Sequence, residues 1–217
     1  MELIHFFIDF ILHLDRHLVE LLARYDTWIY ALMFLVIFAE TGLVVTPFLP
    51  GDSLLFGLGA LAAIDTSGAL SAAWLAALLS SAAVLGNTTN YWIGRGIGQH
   101  AFSGRYRFIM VEYLRQTEAW FAKHGALAMV LARFAPIVRT FAPFVAGIGR
   151  MHHGRFQAYN IAGGVAWVNL FIWAGYFFGN IPLVKNNFGL VTLAIILVSM
   201  LPMLLMVLRR DRPTAAK

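Results

Sequence analysis

The sequence predicts an all-α integral membrane protein with four transmembrane helices, two opposed re-entrant helical hairpins and interfacial amphipathic helices, arranged like an inverted repeat. The first observation behind this prediction is composition. Of the 217 residues, 60% are hydrophobic and 12% are charged, whereas soluble domains have roughly 45–50% apolar and about 25% charged residues. The second is a set of apolar segments close to the roughly 20 residues that one crossing requires. The third is a pair of apolar segments that proline and glycine interrupt.

Residues 1–27 are predicted to form an amphipathic helix in the membrane interface. Apolar residues such as Phe7 and Ile11 recur at helical spacing, and charged residues such as Asp9 and Arg16 occupy the other side. The segment lacks the basic start and the uninterrupted apolar core of a signal peptide. We therefore interpret it as part of a single membrane domain that covers residues 1–217.

Four segments are apolar enough and long enough to be predicted as transmembrane helices. They are residues 28–46, 70–93, 156–178 and 188–208.

Two broken segments, 47–63 and 125–147, are predicted to enter the membrane and turn back. Proline and glycine interrupt each of them near its middle, which leaves helical pieces too short to cross. Re-entrant segments persist in a bilayer only when they are buried in protein or line a cavity. Each predicted hairpin is followed by a crossing, so the two halves are inverted copies in topology, as in many transporters.

Basic residues favour this plan over six complete crossings. With two hairpins, the loop 94–124, which includes a predicted amphipathic helix from Glu112 to Lys123, lies on the same side as both termini and the tail 209–217. Most of the 16 Lys and Arg residues then share one side. Six crossings would move the basic residues of that loop outside, against the positive-inside rule. The plan therefore predicts a multi-pass protein whose N- and C-termini are both cytoplasmic.

Several classes of function lose support at this stage. The net charge of +5 comes from short loops between apolar segments, so we interpret it as a topology signal and expect no nucleic-acid partner. The chain has no cysteine, which excludes thiol chemistry. His13 and His17 form only one helical pair, which is too few ligands for a metal site. We expect no catalytic residues, no cofactor and no metal.

Four ionisable residues remain at membrane depth: Glu40, Asp52, Arg133 and Arg139. A central charge costs roughly 2.5–3.5 kcal/mol on insertion scales, so we expect two acids and two arginines to meet. Arginine matches phosphate oxygens with a planar fork, which makes Arg133 and Arg139 candidates for binding a lipid phosphate. Buried carboxylates are candidates for reversible protonation, which would couple Glu40 and Asp52 to protons.

Two alternatives stay open for these charges. They could form structural salt bridges that only hold the hairpins together, although buried ion pairs stabilise proteins weakly. Asp52 follows "PG" at the start of a predicted half-helix, so it could also serve as the N-cap of that helix.

The motifs "FAETGLVVTPFLPGDSLLFGLGALA", "LARFAPIVRTFAPFVAGIG" and "NYWIGR" resemble those of the DedA family of bacterial inner-membrane proteins. The resemblance covers essentially the whole chain. It implies two opposed re-entrant hairpins, dependence on the proton motive force and a role in envelope integrity. It also implies a link to undecaprenyl phosphate, which some members are thought to return across the membrane. The family's functional acids fall on Glu40 and Asp52, and its functional arginines on Arg133 and Arg139.

One position departs from the family pattern. The family usually carries an acid where "GNTTNYWIGR" has Asn87, so Asn87 is left outside the predicted site. The function that we expect is proton-coupled flipping of a polyprenyl phosphate such as undecaprenyl phosphate, with the lipid, membrane lipids and protons as partners. The alternative is a non-transporting envelope scaffold or a lipid scramblase in which the charges only lock the hairpins. A membrane enzyme acting on lipid phosphate has no supporting motif.

Overall fold

The computed structural model describes residues 20, 27–43, 51–97, 128–134, 136–187, 189–191 and 193–195, and all regular elements in these ranges are helical. The predicted helix 1–27 lies outside the described residues except for Glu20 and Thr27, as does the tail 209–217. Only residues 94–97 of the predicted loop 94–124 and residues 189–191 and 193–195 of the predicted crossing 188–208 are described. The helices are α1 (Trp28–Gly42), α2 (Gly51–Ile64), α3 (Ala72–Ile97), α4 (Ala128–Leu131), α5 (Pro136–Ile148), α6 (His153–Phe178) and α7 (Pro182–Lys185), with a 3-10 turn at Ala132–Phe134 after α4.

Two helices, α3 and α6, form the centre of the fold. Each has 26 residues and is long and apolar enough to cross a membrane, since 26 residues of α-helix measure about 39 Å against a hydrocarbon core of about 30 Å. Helix α6 contains the predicted crossing 156–178, and α3 covers the predicted crossing 70–93 except for its first two residues. The two helices are antiparallel, because the rings of Tyr91 and Phe156 stack at 4.3 Å near one end while Ala73 and Trp173 line one groove near the other. We call the end with Tyr91 the upper end and the end with Ala73 the lower end.

The helices α1 and α2 run in opposite directions: α1 begins at the lower end, and α2 ends there. Gly51 at the start of α2 lies against the carboxylate of Glu40, near the end of α1. Ser71, which follows α2, donates its backbone N–H to the hydroxyl of Tyr30, near the start of α1, at 2.8 Å. With 15 residues, α1 is only about 22 Å long and is too short for a complete crossing.

The structure therefore divides this region differently from the predicted crossing 28–46 and hairpin 47–63. Pro47 and Pro50 lie in residues 44–50, the connection between α1 and α2, outside the described residues. Within α2 the glycines do not break the helix. Gly59 instead lets α6 approach closely, because an added Cβ there would overlap the carbonyl of Ile172. The first hairpin thus has α1 and α2 as its arms.

The direction of α1 changes the predicted topology. Tyr30 lies near Ser71, and Gly42 lies near Gly86, so α1 and α3 are parallel. A crossing followed by a hairpin would have made them antiparallel. Thr27 and Ile97 therefore lie at opposite ends of the molecule, whereas the charge-based plan placed residues 27 and 94 on the same side.

Helices α4 and α5, which correspond to the predicted segment 125–147, both have contacts at the upper end. Met129 of α4 is buried in a cluster with Tyr91 and Phe156, and the hydroxyl of Tyr91 donates to the carbonyl of Met151, just after α5, at 2.5 Å. The chain between α4 and α5 thus descends and returns, and α5 begins at a proline, which suits the first position of a helix. Each hairpin is followed by a long helix, α3 or α6, and these two helices run in opposite directions.

Candidate functional site

Arg139 on α5 joins the two hairpins at the centre of the molecule. Its NH1 group donates to Oδ1 of Asp52 at 2.8 Å, and its NH2 group donates to Oε1 of Glu40. The three side chains are largely buried, with exposed fractions of 12% for Arg139, 10% for Asp52 and 3% for Glu40. One guanidinium from the second hairpin is therefore held by two carboxylates from the first.

Local structure places these carboxylates side by side. Glu40 lies in the last turn of α1, and Asp52 lies in the first turn of α2, where the free N–H groups and the helix dipole favour a negative charge. Gly51 allows the approach, since an added Cβ would overlap the carboxylate of Glu40. The stretch around "PGD" thus provides both an acid and the space that its neighbour needs.

Trp167 on α6 is part of the site and is absent from the set of residues predicted from the sequence. Its indole Nε1 donates to Oδ1 of Asp52 at 2.9 Å. The guanidinium carbons of Arg139 and Arg133 lie over its ring, 5.3 and 6.0 Å from the centroid, within the range of cation–π attraction. The buried indole therefore contacts an acid through its edge and both arginines through its face.

Arg133 differs from Arg139 in its partners. It is buried, and none of the described carboxylates forms a salt bridge with it. Its NH2 group donates instead to Oδ1 of Asn160 at 2.8 Å and to the backbone carbonyl of Asn160 at 3.1 Å. The guanidinium lies along Gly163 and Gly164, where an added Cβ would come to 3.0 Å from its nitrogens.

Amide side chains surround Arg133 and connect the helices. The amide of Asn87 can donate to Oδ1 of Asn160 at 3.0 Å. In its other orientation, its oxygen accepts from NH2 of Arg133 at 2.9 Å and its nitrogen donates to the carbonyl of Thr41 at 3.3 Å. Asn90 donates to the carbonyl of Thr41 at 3.2 Å and to that of Thr140 at 2.9 Å, so α3 binds both hairpins. The structure thus places Asn87 at the site, although the sequence interpretation left it outside.

The four predicted charges do meet, but not as two acid–arginine pairs. Glu40 and Asp52 share Arg139, and Arg133 joins them only through Trp167. Sequence signals for the missed residues exist: Trp167 and Asn160 carry polar atoms in the middle of an apolar crossing, where a buried donor or amide needs a partner. Within the described ranges, no three His, Asp or Glu side chains converge as metal ligands would.

The fold and the site define an all-helical membrane protein with a charged cluster buried among α1, α2, α5 and α6. Comparison with known proteins agrees with this class. The family model of the VTT domain matches residues 49–177. The chain therefore belongs to the DedA family of VTT-domain membrane proteins.

Relatives support the assignment along the chain. Protein DedA of Escherichia coli (strain K12) is 51% identical over 216 residues, which cover 99% of this chain and 98% of the relative. An uncharacterized membrane protein of Mycobacterium tuberculosis (strain H37Rv) is 44% identical over 171 residues, covering 78% and 74% of the two chains. Inner membrane protein YghB of Escherichia coli (strain K12) is 36% identical over 180 residues, covering 82% and 78%. No solved structure matches the chain.

Proposed function

We propose that this protein is a carrier, not an enzyme, that moves a polyprenyl phosphate such as undecaprenyl phosphate across the bacterial inner membrane, coupled to protons. Arg133 and Arg139 bind the phosphate, and Glu40 and Asp52 exchange the protons. The observation that carries the proposal is the buried guanidinium of Arg133, which has only neutral partners among the described residues.

An anion is the partner that Arg133 lacks. A buried charge is costly unless it is paired, and neutral amides orient a guanidinium without neutralising it. Its Nε has no hydrogen-bond partner within the described part of the chain. Phosphate oxygens would accept from such a planar donor set in parallel, with charge-assisted hydrogen bonds about twice as strong as neutral ones. Trp167, which lies under both guanidinium groups, would keep them at a common site.

Protonation of the acids acts on phosphate binding through the ion pairs of Arg139. When Glu40 or Asp52 takes up a proton, one of the two pairs is lost and an N–H group of Arg139 becomes available to the phosphate. Loss of the proton restores the pair and displaces the phosphate. Binding of the lipid and protonation of the acids therefore favour each other, which is the requirement for coupling.

The proposal includes an orientation. The upper end carries the exposed residues Arg95, Arg150 and Arg155, so the positive-inside rule places it in the cytoplasm. The parallel run of α1 and α3 then places the start of α1 on the periplasmic side. The sequence-based plan instead placed the start of this helix on the cytoplasmic side. If residues 188–208 cross as the sequence predicts, the tail 209–217 stays cytoplasmic.

Reconstitution into vesicles tests the proposal. Purified protein is placed in vesicles with a defined pH gradient, and labelled undecaprenyl phosphate is measured on each leaflet. We expect movement that depends on the gradient and disappears with an uncoupler. No movement by the wild-type protein would reject the transport proposal, and movement insensitive to the gradient would remove the coupling.

A second candidate function is supported by the shared ion pairs of Arg139. A guanidinium held by two carboxylates is an effective tether between the hairpin tips. In a scaffold or a scramblase, that tether would be the only role of the charges. An exchange of the charges of Glu40 and Arg139 separates the two functions.

A further inference from the structure

We infer that the groove between α3 and α6 holds the hydrocarbon chain of the lipid whose phosphate the arginines bind; this inference rests on the proposed function. The groove has a volume of about 540 Å³, within the roughly 300–1,000 Å³ of ligand sites. Its walls are small and apolar residues together with Trp173 and Asn169. It opens on the outer face of two helices long enough to cross the membrane, where lipid chains are the surroundings.

The groove extends from the lower end to the depth of the charged site. Ala73 and Trp173 line it at the lower end, and Val84 and Ile161 line it near the middle. Ala73 and Val84 are eleven residues apart on one helix, which corresponds to about 16 Å. A chain lying in the groove therefore runs along half of the membrane.

The inner end of the groove touches the site. A Cβ added to Gly164 would meet Cγ2 of Val84 at 3.1 Å and NH2 of Arg133 at 3.0 Å. Val84 of the groove wall and the guanidinium of Arg133 therefore both border the space that a side chain at position 164 would occupy. Asn160, which holds Arg133, also donates to the backbone carbonyl of Val84 at 3.0 Å. A lipid with its phosphate at Arg133 can therefore place its first carbons at Val84.

Polar side chains also line the groove, namely those of Ser80, Ser81 and Asn169. The hydroxyl of Ser80 is buried and has no hydrogen-bond partner within the described residues. A buried hydroxyl without a partner costs free energy. A phosphate or an ester oxygen passing along the groove would accept a hydrogen bond from this hydroxyl. A surface that only packs against apolar groups would not need a hydroxyl at this position.

The described part of the C-terminal segment does not fill the groove. Val191 and Ile195 pack with Ala174 of α6 against Phe56 and Ala60 of α2. Ala174 is nine residues from the groove residue Val165, about two and a half helical turns, so it lies on the opposite side of α6. This segment therefore starts away from the groove, and a lipid chain remains the occupant that fits the apolar walls and the adjoining cation.

The test fills the groove and measures binding of two phosphates. Ala77→Trp and Val165→Trp occupy it from α3 and α6, whereas Ala166→Trp adds the same bulk at an exposed position of α6 outside the lining. Each purified variant is titrated with undecaprenyl phosphate and with geranyl phosphate, which carries the headgroup on a short chain. Loss of contact with about two methylene groups predicts about tenfold weaker binding of the long lipid by the groove variants. Binding of geranyl phosphate should match the wild type, as should both affinities of the control.

The outcomes separate the inference from the proposed function. If the wild type binds both phosphates and the groove variants retain full affinity for the long lipid, the inference is overturned and the function stands. If the wild type binds neither phosphate, the function is rejected and the inference with it. If a diacyl phosphatidic acid competes equally well with undecaprenyl phosphate, the groove does not select a lipid with a single chain, and the inference is also overturned.

A second measurement tests the inference if the tryptophan variants fail to fold. A spin label on Val165→Cys should lose mobility when undecaprenyl phosphate is added, and a label on Leu170→Cys, which is exposed outside the groove, should not. The chain has no other cysteine to label. Disulfide-linked dimers of Val165→Cys would identify a second copy of the protein as the occupant and would overturn the inference.

Discussion

The guanidinium of Arg133 is held by the amide of Asn160, with its NH2 group 2.8 Å from the amide oxygen. Arg139, by contrast, is bound by two carboxylates. Two arginines of one site therefore differ in what an incoming anion must displace: nothing charged at Arg133, and an acid at Arg139. This difference is the basis of the first two predictions.

Replacing Asn87 by aspartate should make phosphate binding depend on pH. The side chain lies 2.9 Å from NH2 of Arg133, so an ionised carboxylate at this position would pair with that arginine and compete with phosphate. A charge-assisted hydrogen bond contributes about 1.5–3 kcal/mol, so we expect at least about tenfold weaker binding of undecaprenyl phosphate at neutral pH. Acidification should restore it, because a protonated carboxyl group no longer competes. Asn87→Ala, which adds no charge, is the control, and an unchanged affinity of Asn87→Asp across this pH range would contradict an anion site at Arg133.

Lysine should not replace either arginine. Arg133→Lys keeps the charge but loses the planar donor set, so phosphate binding and transport should fall about tenfold or more while folding changes little. Arg139→Lys should also loosen the hairpins, because one ammonium group does not reproduce the two-sided geometry with Glu40 and Asp52. Thermal unfolding in detergent and the vesicle assay measure the two effects. Full activity of both variants would count strongly against recognition by the guanidinium fork.

Exchange of charges between Glu40 and Arg139 separates transport from tethering. Each single change, Glu40→Arg or Arg139→Glu, leaves an unpaired buried charge and should cost about 3–5 kcal/mol of stability. The double variant should regain stability. It should remain inactive in transport, because the phosphate-binding arginine has moved to the first hairpin. Recovery of activity together with stability would support the scaffold or scramblase.

Gly51→Ala should disconnect Glu40 from Arg139. The added Cβ would overlap the carboxylate of Glu40, and overpacking of this kind costs about 1–3 kcal/mol. The matched control is Gly96→Ala on α3, where an added Cβ meets nothing within 4 Å and should stabilise the helix by about 0.5–1 kcal/mol. Thermal stability and proton-dependent transport are compared for the two variants. If the two variants have the same thermal stability and the same proton-dependent transport, the carboxylate of Glu40 is not held in place by Gly51.

Single cysteines should locate the two ends of the molecule on opposite sides of the membrane. Ser67→Cys lies in the exposed connection between α2 and α3, and His152→Cys lies in the exposed connection between α5 and α6. In intact cells a membrane-impermeant maleimide should label the first, and it should label the second only after permeabilisation. Labelling of both from one side would reject the orientation proposed from the parallel helices.

The charges of the site were predictable because each stands alone in an apolar segment, so the sequence itself shows a charge that is unfavourable in the membrane. Their partners were not. Trp167 and Asp52 are hydrogen bonded across 115 positions of the chain, and no local pattern connects them. The arms of the first hairpin were misassigned because residues 28–46 have the composition and length of a crossing. Contacts between distant residues, such as that of Tyr30 with Ser71 and that of Gly51 with Glu40, show that the chain turns back after α1.

Trp167 gives this site a further property. Trp28, Trp74 and Trp92 are at least half exposed at the surface, whereas the indole of Trp167 is buried between an acid and two arginines. In a variant that retains Trp167 as its sole tryptophan, fluorescence would come from the centre of the charged cluster. A proton arriving at Asp52 alters the charge beside the indole N–H, and a phosphate at the arginines alters the charge above its ring. The protein therefore contains an intrinsic optical reporter at the place where protons and phosphate are proposed to meet.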